Sequence, residues 1–401
     1  MTVELSSKPP VITSRRILWG LVGATGGLGL LGGLLGIALA FWLPLNAGDS
    51  IGVMLSSVGL LTALFGSGLL WAGLTGWRQS PAPNSHTRWG WLVFLGLSII
   101  ALVIGALIPG DRHYNPAFAL LHVGVMFFPA ATLMALILQA AGRTVAPTLR
   151  QMALTVVGGA TSVILALPLE LFAFVVCVLL VFGVAAVVPG GADEVARLSA
   201  MLEQWQTQPP ADADAVLTLV GSPLVLITLT MIFAIVAPLI EEFGKTLVLG
   251  LMGIWQRPGL LGAFLWGAMC GLGFAVLENI TNGAMGLGEV AGWLSGTGAR
   301  MLATGMHILT SGLLGLGWAG LWQRRWWALP LAYCVAVFYH GLWNLNIVLA
   351  VSGAALGLTT SSAAYVLMLI GVGFEIVLIL AMPLLLFGIP IWLRRYTKQE
   401  I

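Results

Sequence analysis

Ten apolar runs of about twenty residues or more follow one another along this chain, and the short gaps between them hold nearly all of its charge. Wound as a helix at 1.5 Å per residue, each run is long enough to cross the ~30 Å hydrocarbon core of a bilayer. Composition agrees. The 401 residues are 59% hydrophobic and only 8% charged, against about 25% charged in soluble domains. Thirty-two charges cannot hydrate the surface of a soluble chain this size.

Flanking charges and turn residues place the spans at about 17–45, 51–76, 89–109, 116–142, 152–188, 222–254, 258–281, 299–321, 327–350 and 364–393. The lysines and arginines alternate with them as the positive-inside rule requires. Thirteen fall on one side, from Lys8, Arg15 and Arg16 at the start to Arg394, Arg395 and Lys398 at the end. Only Arg112, Arg197 and Arg300 fall on the other, and Lys245 lies within a span. The expectation is an all-α polytopic protein of the plasma (inner) membrane with both termini cytoplasmic. Residues 1–16 form a cytoplasmic tail, 17–142 a four-helix N-terminal membrane region, and 150–393 a second membrane region. Lys8, Arg15 and Arg16 before an apolar stretch have the charge order of a signal peptide, but the run Ile17–Leu45 is too long for one. It reads as an uncleaved first helix.

The one long gap, 189–221, falls outside and is acidic. Within it Val195, Leu198, Leu202 and Trp205 recur at helical spacing behind a candidate Asp193 cap, predicting an amphipathic helix on the outer interface. In the first span Gly23/Gly27, Gly29/Gly33 and Gly32/Gly36 have the GxxxG spacing of close helix contact. His122 reads as a core histidine bonded to a neighbouring helix. Cys177, Cys270 and Cys334 match no disulfide framework and read as small buried hydrophobes. A net charge of +2 with no basic patch gives no footing for nucleic acid.

The informative residues are the polar ones inside spans, where a charge costs roughly 2.5–3.5 kcal/mol at the bilayer centre. The sixth span reads PLIEEFGKTL. It sets Glu241 and Lys245 one helical turn apart, in the favourable order for a pair, and leaves Glu242 pointing about 100° away toward another helix. The seventh holds Phe274, Glu278 and Asn279. In the eighth, Arg300, Thr304, His307 and Ser311 form one stripe, and in the ninth His340 and Asn344 share a face. Four successive helices carrying such stripes can line either a catalytic chamber or an ion path.

This ordered set resembles the PrsW-type membrane proteases, whose motifs are EExxK, FxxxE followed by asparagine, an isolated histidine, and HxxxN. Here they correspond to Glu241–Glu242–Lys245, Phe274–Glu278–Asn279, His307, and His340–Asn344, over residues 222–350. The family is distantly similar to the type II CAAX prenyl endopeptidases, which carry a histidine where Glu278 stands. The resemblance implies an intramembrane peptidase acting on membrane proteins or peptides within the lipid bilayer, for example single-span anti-sigma factors. Glu241, Glu242, Glu278, His307, His340 and Asn344 would be catalytic, supported by Lys245, Asn279 and Arg300. Should a divalent metal such as zinc take part, Glu242, Glu278 and His307 are the expected ligands.

The chemistry suits peptide hydrolysis, which needs an activated water, an oxyanion donor and a proton for the leaving amine. Adjacent carboxylates in low dielectric cannot both ionise cheaply, so one can act as base and another as acid. His340 and Asn344 are both hydrogen-bond donors able to polarise a carbonyl. No HExxH, no GxSG and no aspartate within a span occurs. Counted from the span ends, Glu278 falls about 13 Å from the midplane, well outside the level of Glu241, His307 and His340. The rival readings are an ion-coupled transporter or channel, favoured by Glu170 and Glu375 in the fifth and tenth spans, and a non-catalytic scaffold.

Overall fold

A computed structural model describes residues 14–43, 50–84, 88–208, 218–357 and 362–399. The tail through residue 13, residues 209–217 with Asp212 and Asp214, and Ile401 lie outside the described residues. The described chain is helical, without strands. The principal helices are α1 (Ser14–Trp42), α2 (Ile51–Trp77), α3 (Gly90–Leu107), α4 (Ala119–Ala141) and α5 (Leu149–Ala185), then the shorter α6 (Gly191–Thr207). The broken helix α7 (Pro223–Met252) follows, then α8 (Leu260–Gly283), α9 (Val290–Trp322), α10 (Ala328–Gly357) and α11 (Ser362–Gln399).

Nine helices among the described residues are long and apolar enough to cross a membrane. The expected eighth span is α9, a 33-residue helix that is ample in length. Its glycines, Thr304, His307, Thr310 and Ser311 keep it less apolar than the others, because it carries much of the site. The polytopic all-α architecture read from the sequence is therefore the observed one.

Helix α8 is the hub, with 83% of its spanning window buried. Small residues let its neighbours come close. A Cβ at Gly271 would fall 2.2 Å from the His307 carbonyl oxygen, and one at Gly273 would fall 1.8 Å from that of Val156. Glycine is thus what brings α9, with His307, and α5 up against α8. Helix α1 packs on α2 in the same way, and of the GxxxG pairs read from the sequence Gly29/Gly33 is in the contact at both members, against Gly66 and Gly59. Gly23 meets Gly73 and Gly36 meets Gly59, joined by Gly26 against Gly66, while the other members of those two pairs, Gly27 and Gly32, meet nothing. Of the cysteines, Cys177 and Cys270 are buried and Cys334 is exposed, contrary to the expectation for the third.

The N-terminal helices share the core of the second region. His122 on α4 bonds the Ile280 carbonyl of α8 at 3.0 Å and accepts from Trp293 Nε1 of α9 at 3.3 Å. It is a core histidine whose two partners fix its tautomer. Helix α6 is capped at Gly190, whose φ of +75° suits glycine, so Asp193 lies in the first turn and is not the cap. Leu198 is buried and Leu202 exposed. Glu194 accepts from Arg197 twice at 2.7 Å and from Ser222 Oγ at 2.6 Å, tying α6 to the start of α7.

Helix α7 is interrupted by a π-helical stretch, Thr230–Val236, just before Pro238. Proline has no N–H to return to the preceding turn, which leaves a carbonyl to be answered from elsewhere. A neighbouring helix supplies the donor, as in other broken membrane helices. Asn344 Nδ2 of α10 donates to the Phe233 carbonyl at 2.8 Å.

Candidate active site

The second half of α7 carries Glu241, Glu242 and Lys245, all buried. Lys245 is fully enclosed and anchors the cluster. Its Nζ donates to Glu242 Oε1 at 2.7 Å and to His307 Nδ1 at 2.8 Å, and stands 4.1 Å from the Phe274 ring centroid. Glu241 Oε2 is also within ion-pair range, at 3.1 Å. The Glu241–Lys245 pair expected from the spacing is present, but the tighter partner is Glu242, which also reaches the other helices.

Glu242 is saturated on one oxygen. Besides Lys245, its Oε1 receives His340 Nδ1 at 2.8 Å and Thr310 Oγ1 at 3.1 Å. Pairing with the carboxylate places the His340 proton on Nδ1 and leaves Nε2 as a free lone pair, 3.8 Å from Glu241 Oε2. Thr310 takes part where the sequence stripe pointed to Ser311, whose hydroxyl is buried without a partner. No spacing rule singled out Thr310. It was legible only as the residue that i+3 brings round beside His307.

His307 faces two ways. An ammonium can only donate, so Nδ1 is the acceptor and Nε2 carries the proton. Nε2 lies 2.8 Å from Glu278 Oε2, off the line of a good hydrogen bond, so that oxygen is buried without a hydrogen-bond partner. Glu278 thus reaches the centre of the site, and the 13 Å offset counted along the sequence disappears. Helix α9 begins at Val290, and α8 and α9 pack in direct backbone contact beside His307. On its outward side Glu278 pairs with Arg300 at 2.6 Å and receives Asn282 Nδ2 at 3.0 Å. Asn279 accepts from Arg300 Nε and donates to Thr304 Oγ1, both at 2.7 Å, which holds the arginine in place.

A cavity of about 530 Å³ has Glu241, Glu278, His307 and His340 at its floor. Its walls run toward the ends of α5, α8, α9 and α10 that share the side of the 189–221 segment, through Glu170, Asn282, Arg300 and Ser352. Glu242, Lys245 and Phe274 close the other end. Asn344 lines the wall, yet its amide is engaged with Phe233, so His340 and Asn344 do not converge on one point as they stand.

Among the described residues, Glu241, His307 and His340 are the three whose ligand atoms gather within 4.8 Å of one another. Of the ligand set expected from the sequence, His307 is in this group, whereas Glu242 is turned to Lys245 and Glu278 to Arg300. The group suits a metal chemically. Glu241 Oε2 is a buried oxygen with no hydrogen-bond partner. His340 Nε2 is free, and its other nitrogen is held by a carboxylate, the usual outer-shell arrangement for a ligating imidazole. His307 becomes a ligand through Nε2 once its proton has passed, by way of Glu278 Oε2, to water outside the site, which leaves that carboxylate ionised. Two nitrogens and one carboxylate oxygen are donor types that suit a divalent metal such as zinc.

Comparison with known proteins gives one match. The model of the PrsW family intramembrane metalloproteases matches residues 147–374, more than half of the chain and wider than the motif-bearing stretch. Neither a curated protein nor a solved structure matches it.

Proposed function

The chain belongs to the PrsW family of intramembrane metalloproteases, and from that premise we propose that it hydrolyses a peptide bond of a membrane-embedded substrate at the cavity floor. The observation that carries this is the gathering of Glu241, His307 and His340 around one point beside two carboxylate oxygens without hydrogen-bond partners. Glu241, His307 and His340 would hold the metal, which supplies Lewis acidity and a water activated near neutral pH. Around it the chain divides the remaining work. Glu278 Oε2, at the cavity floor next to His307 Nε2, takes the proton of the attacking water and returns it to the leaving amine. Arg300 and Asn282 hold that carboxylate in place. Lys245 and Glu242 fix the two imidazoles from behind, and Asn344 keeps the α7 break beside the chamber.

Walls lined by Leu167, Phe233 and Ile347 accept an apolar segment while excluding bulk water. The ion-coupled carrier reading is less well supported, because a carrier needs access from both faces and the cavity lining lies on the outward side of a sealed Lys245. The test is cleavage of a single-span reporter by purified protein in liposomes. Glu241→Gln should abolish cleavage while the protein keeps its native elution profile. Near-normal turnover in that variant would remove the glutamate from the mechanism.

A further inference from the structure

One acid at this cavity has no use in the mechanism above. Glu170 on α5 lines the same cavity as Glu241 and His307, and its Oε1 is buried with no hydrogen-bond partner. Helix α5 spans 37 residues and carries only one other charge, Arg150 near its inner end. A second one inside the span costs roughly 2.5–3.5 kcal/mol at the bilayer centre and marks a functional position. The other charged groups of the cluster are paired within the chain: Lys245 with Glu241 and Glu242, and Arg300 with Glu278. Among the described residues Glu170 makes no such pair. Four carboxylates here stand against two cations, so the chamber carries a formal negative excess.

Its position along the substrate path can be read from the packing. Gly158 of α5 lies against Val248 of α7, and Ser162 against Gly244, so the two helices run antiparallel in that register. Continued outward, this sets Glu241 level with about residue 165. Glu170 then lies five residues further out, or ~7.5 Å at 1.5 Å per residue. An extended peptide covers that distance in about two residues. On α5, Val163, Ala166, Leu167 and Glu170 line the cavity at helical spacing, so the carboxylate ends an otherwise apolar wall.

We propose that Glu170 is a specificity-determining residue that pairs with a lysine or arginine side chain of the substrate, about two residues to the outward side of the scissile bond. The pair forms in a partly dehydrated cavity, where it discriminates against an uncharged side chain far more than a surface pair does. This inference rests on the protease reading, and its test separates the two.

A Leu/Ala single-span peptide is made in versions carrying one Lys walked through successive positions, with Leu and Glu at the same positions as controls. Binding to the full-length Glu241→Gln variant is measured by fluorescence anisotropy, and cleavage by the wild-type chain is followed in parallel. The expected result is one register at which the Lys peptide binds at least tenfold more tightly than the Leu peptide. Adding Glu170→Gln should erase that preference, and Glu170→Lys should transfer it to the Glu peptide. Equal binding of Lys and Leu peptides in every register, or a preference that survives Glu170→Gln, overturns the inference and leaves the protease reading intact. A Glu170-dependent preference without cleavage of any peptide supports the binding site and counts against the protease.

Discussion

His340 Nδ1 and Lys245 Nζ converge on a single oxygen, Glu242 Oε1, at 2.8 and 2.7 Å, and the same lysine reaches His307 Nδ1 at 2.8 Å. One buried ion pair therefore sets the orientation of both imidazoles. Each histidine presents its Nε2 to the chamber because its Nδ1 is engaged from behind.

The first prediction concerns that anchor. Lys245→Met removes the cation bonded to Glu242 and leaves a carboxylate buried without its charge partner, a change that typically costs ~3–5 kcal/mol. We expect a loss of this size in SDS-titrated unfolding in mixed micelles. The double change Lys245→Met with Glu242→Gln should recover most of it, since glutamine keeps hydrogen-bonding capacity without the charge. Both variants should be inactive, because His307 loses its fixed orientation in each. A double variant no more stable than the single one would mean that the lysine acts through packing on Phe274 and not through the pair.

A second prediction uses helix α6. Arg197 and then Ser222 hold the Glu194 carboxyl down to about 2 from its ordinary value of 4.5. A depressed folded-state pKa means the contribution is complete above the unfolded value and is lost as pH falls through the folded one. Docking of α6 through this contact should therefore be unchanged from pH 8 to about 5 and weaken progressively toward pH 2. Hydrogen-exchange protection of residues 191–207, corrected for intrinsic rates, reports it. Glu194→Gln should lower protection at pH 7 and abolish the pH dependence. A dependence centred near pH 6 would point to another group.

Membrane orientation supplies the third. By the positive-inside rule, the split of Lys and Arg predicts that both termini lie in the cytoplasm and the 189–221 segment outside. A reporter active only outside the cytoplasm should be silent when fused after Ile401 and active when inserted near residue 208. Activity at Ile401 would invert this topology, and with it the face from which substrate enters.

Much of this molecule was legible because membrane helices declare themselves. Apolar length and flanking charge located the spans, and the cost of burying charge singled out Glu241, Glu242, Lys245 and Glu278 before any packing was known. Rotation and depth were not legible. Glu278 looked displaced toward the outer face because the count assumed straight, level helices, whereas glycine contacts bring α8 and α9 together beside His307. Thr310 and not Ser311 meets Glu242, a difference of one residue and 100° that spacing alone cannot resolve. The tie between Asn344 and Phe233 depends on a π-helical stretch, which leaves no periodic mark in a sequence.

That tie decides the last prediction. Sharing a helical face, His340 and Asn344 would act as a pair of donors to one oxygen, and their removal would then be strongly non-additive. The structure gives them different partners. His340 is held by Glu242 with Nε2 free toward Glu241, whereas Asn344 spends a proton on the Phe233 carbonyl, freed by Pro238. His340→Ala should therefore lower both the metal retained per chain and the rate, the rate by a hundredfold or more. Asn344→Ala should leave metal content unchanged and slow turnover through the loosened α7 break. Asn344→Asp, which keeps an acceptor but lacks the donor, should be no better than alanine. Metal analysis of purified protein beside single-span peptide cleavage reads both outcomes. If His340→Ala keeps its metal and the double change costs little more than either single one, the two residues act as one oxyanion site and Asn344 moves off Phe233 when substrate binds.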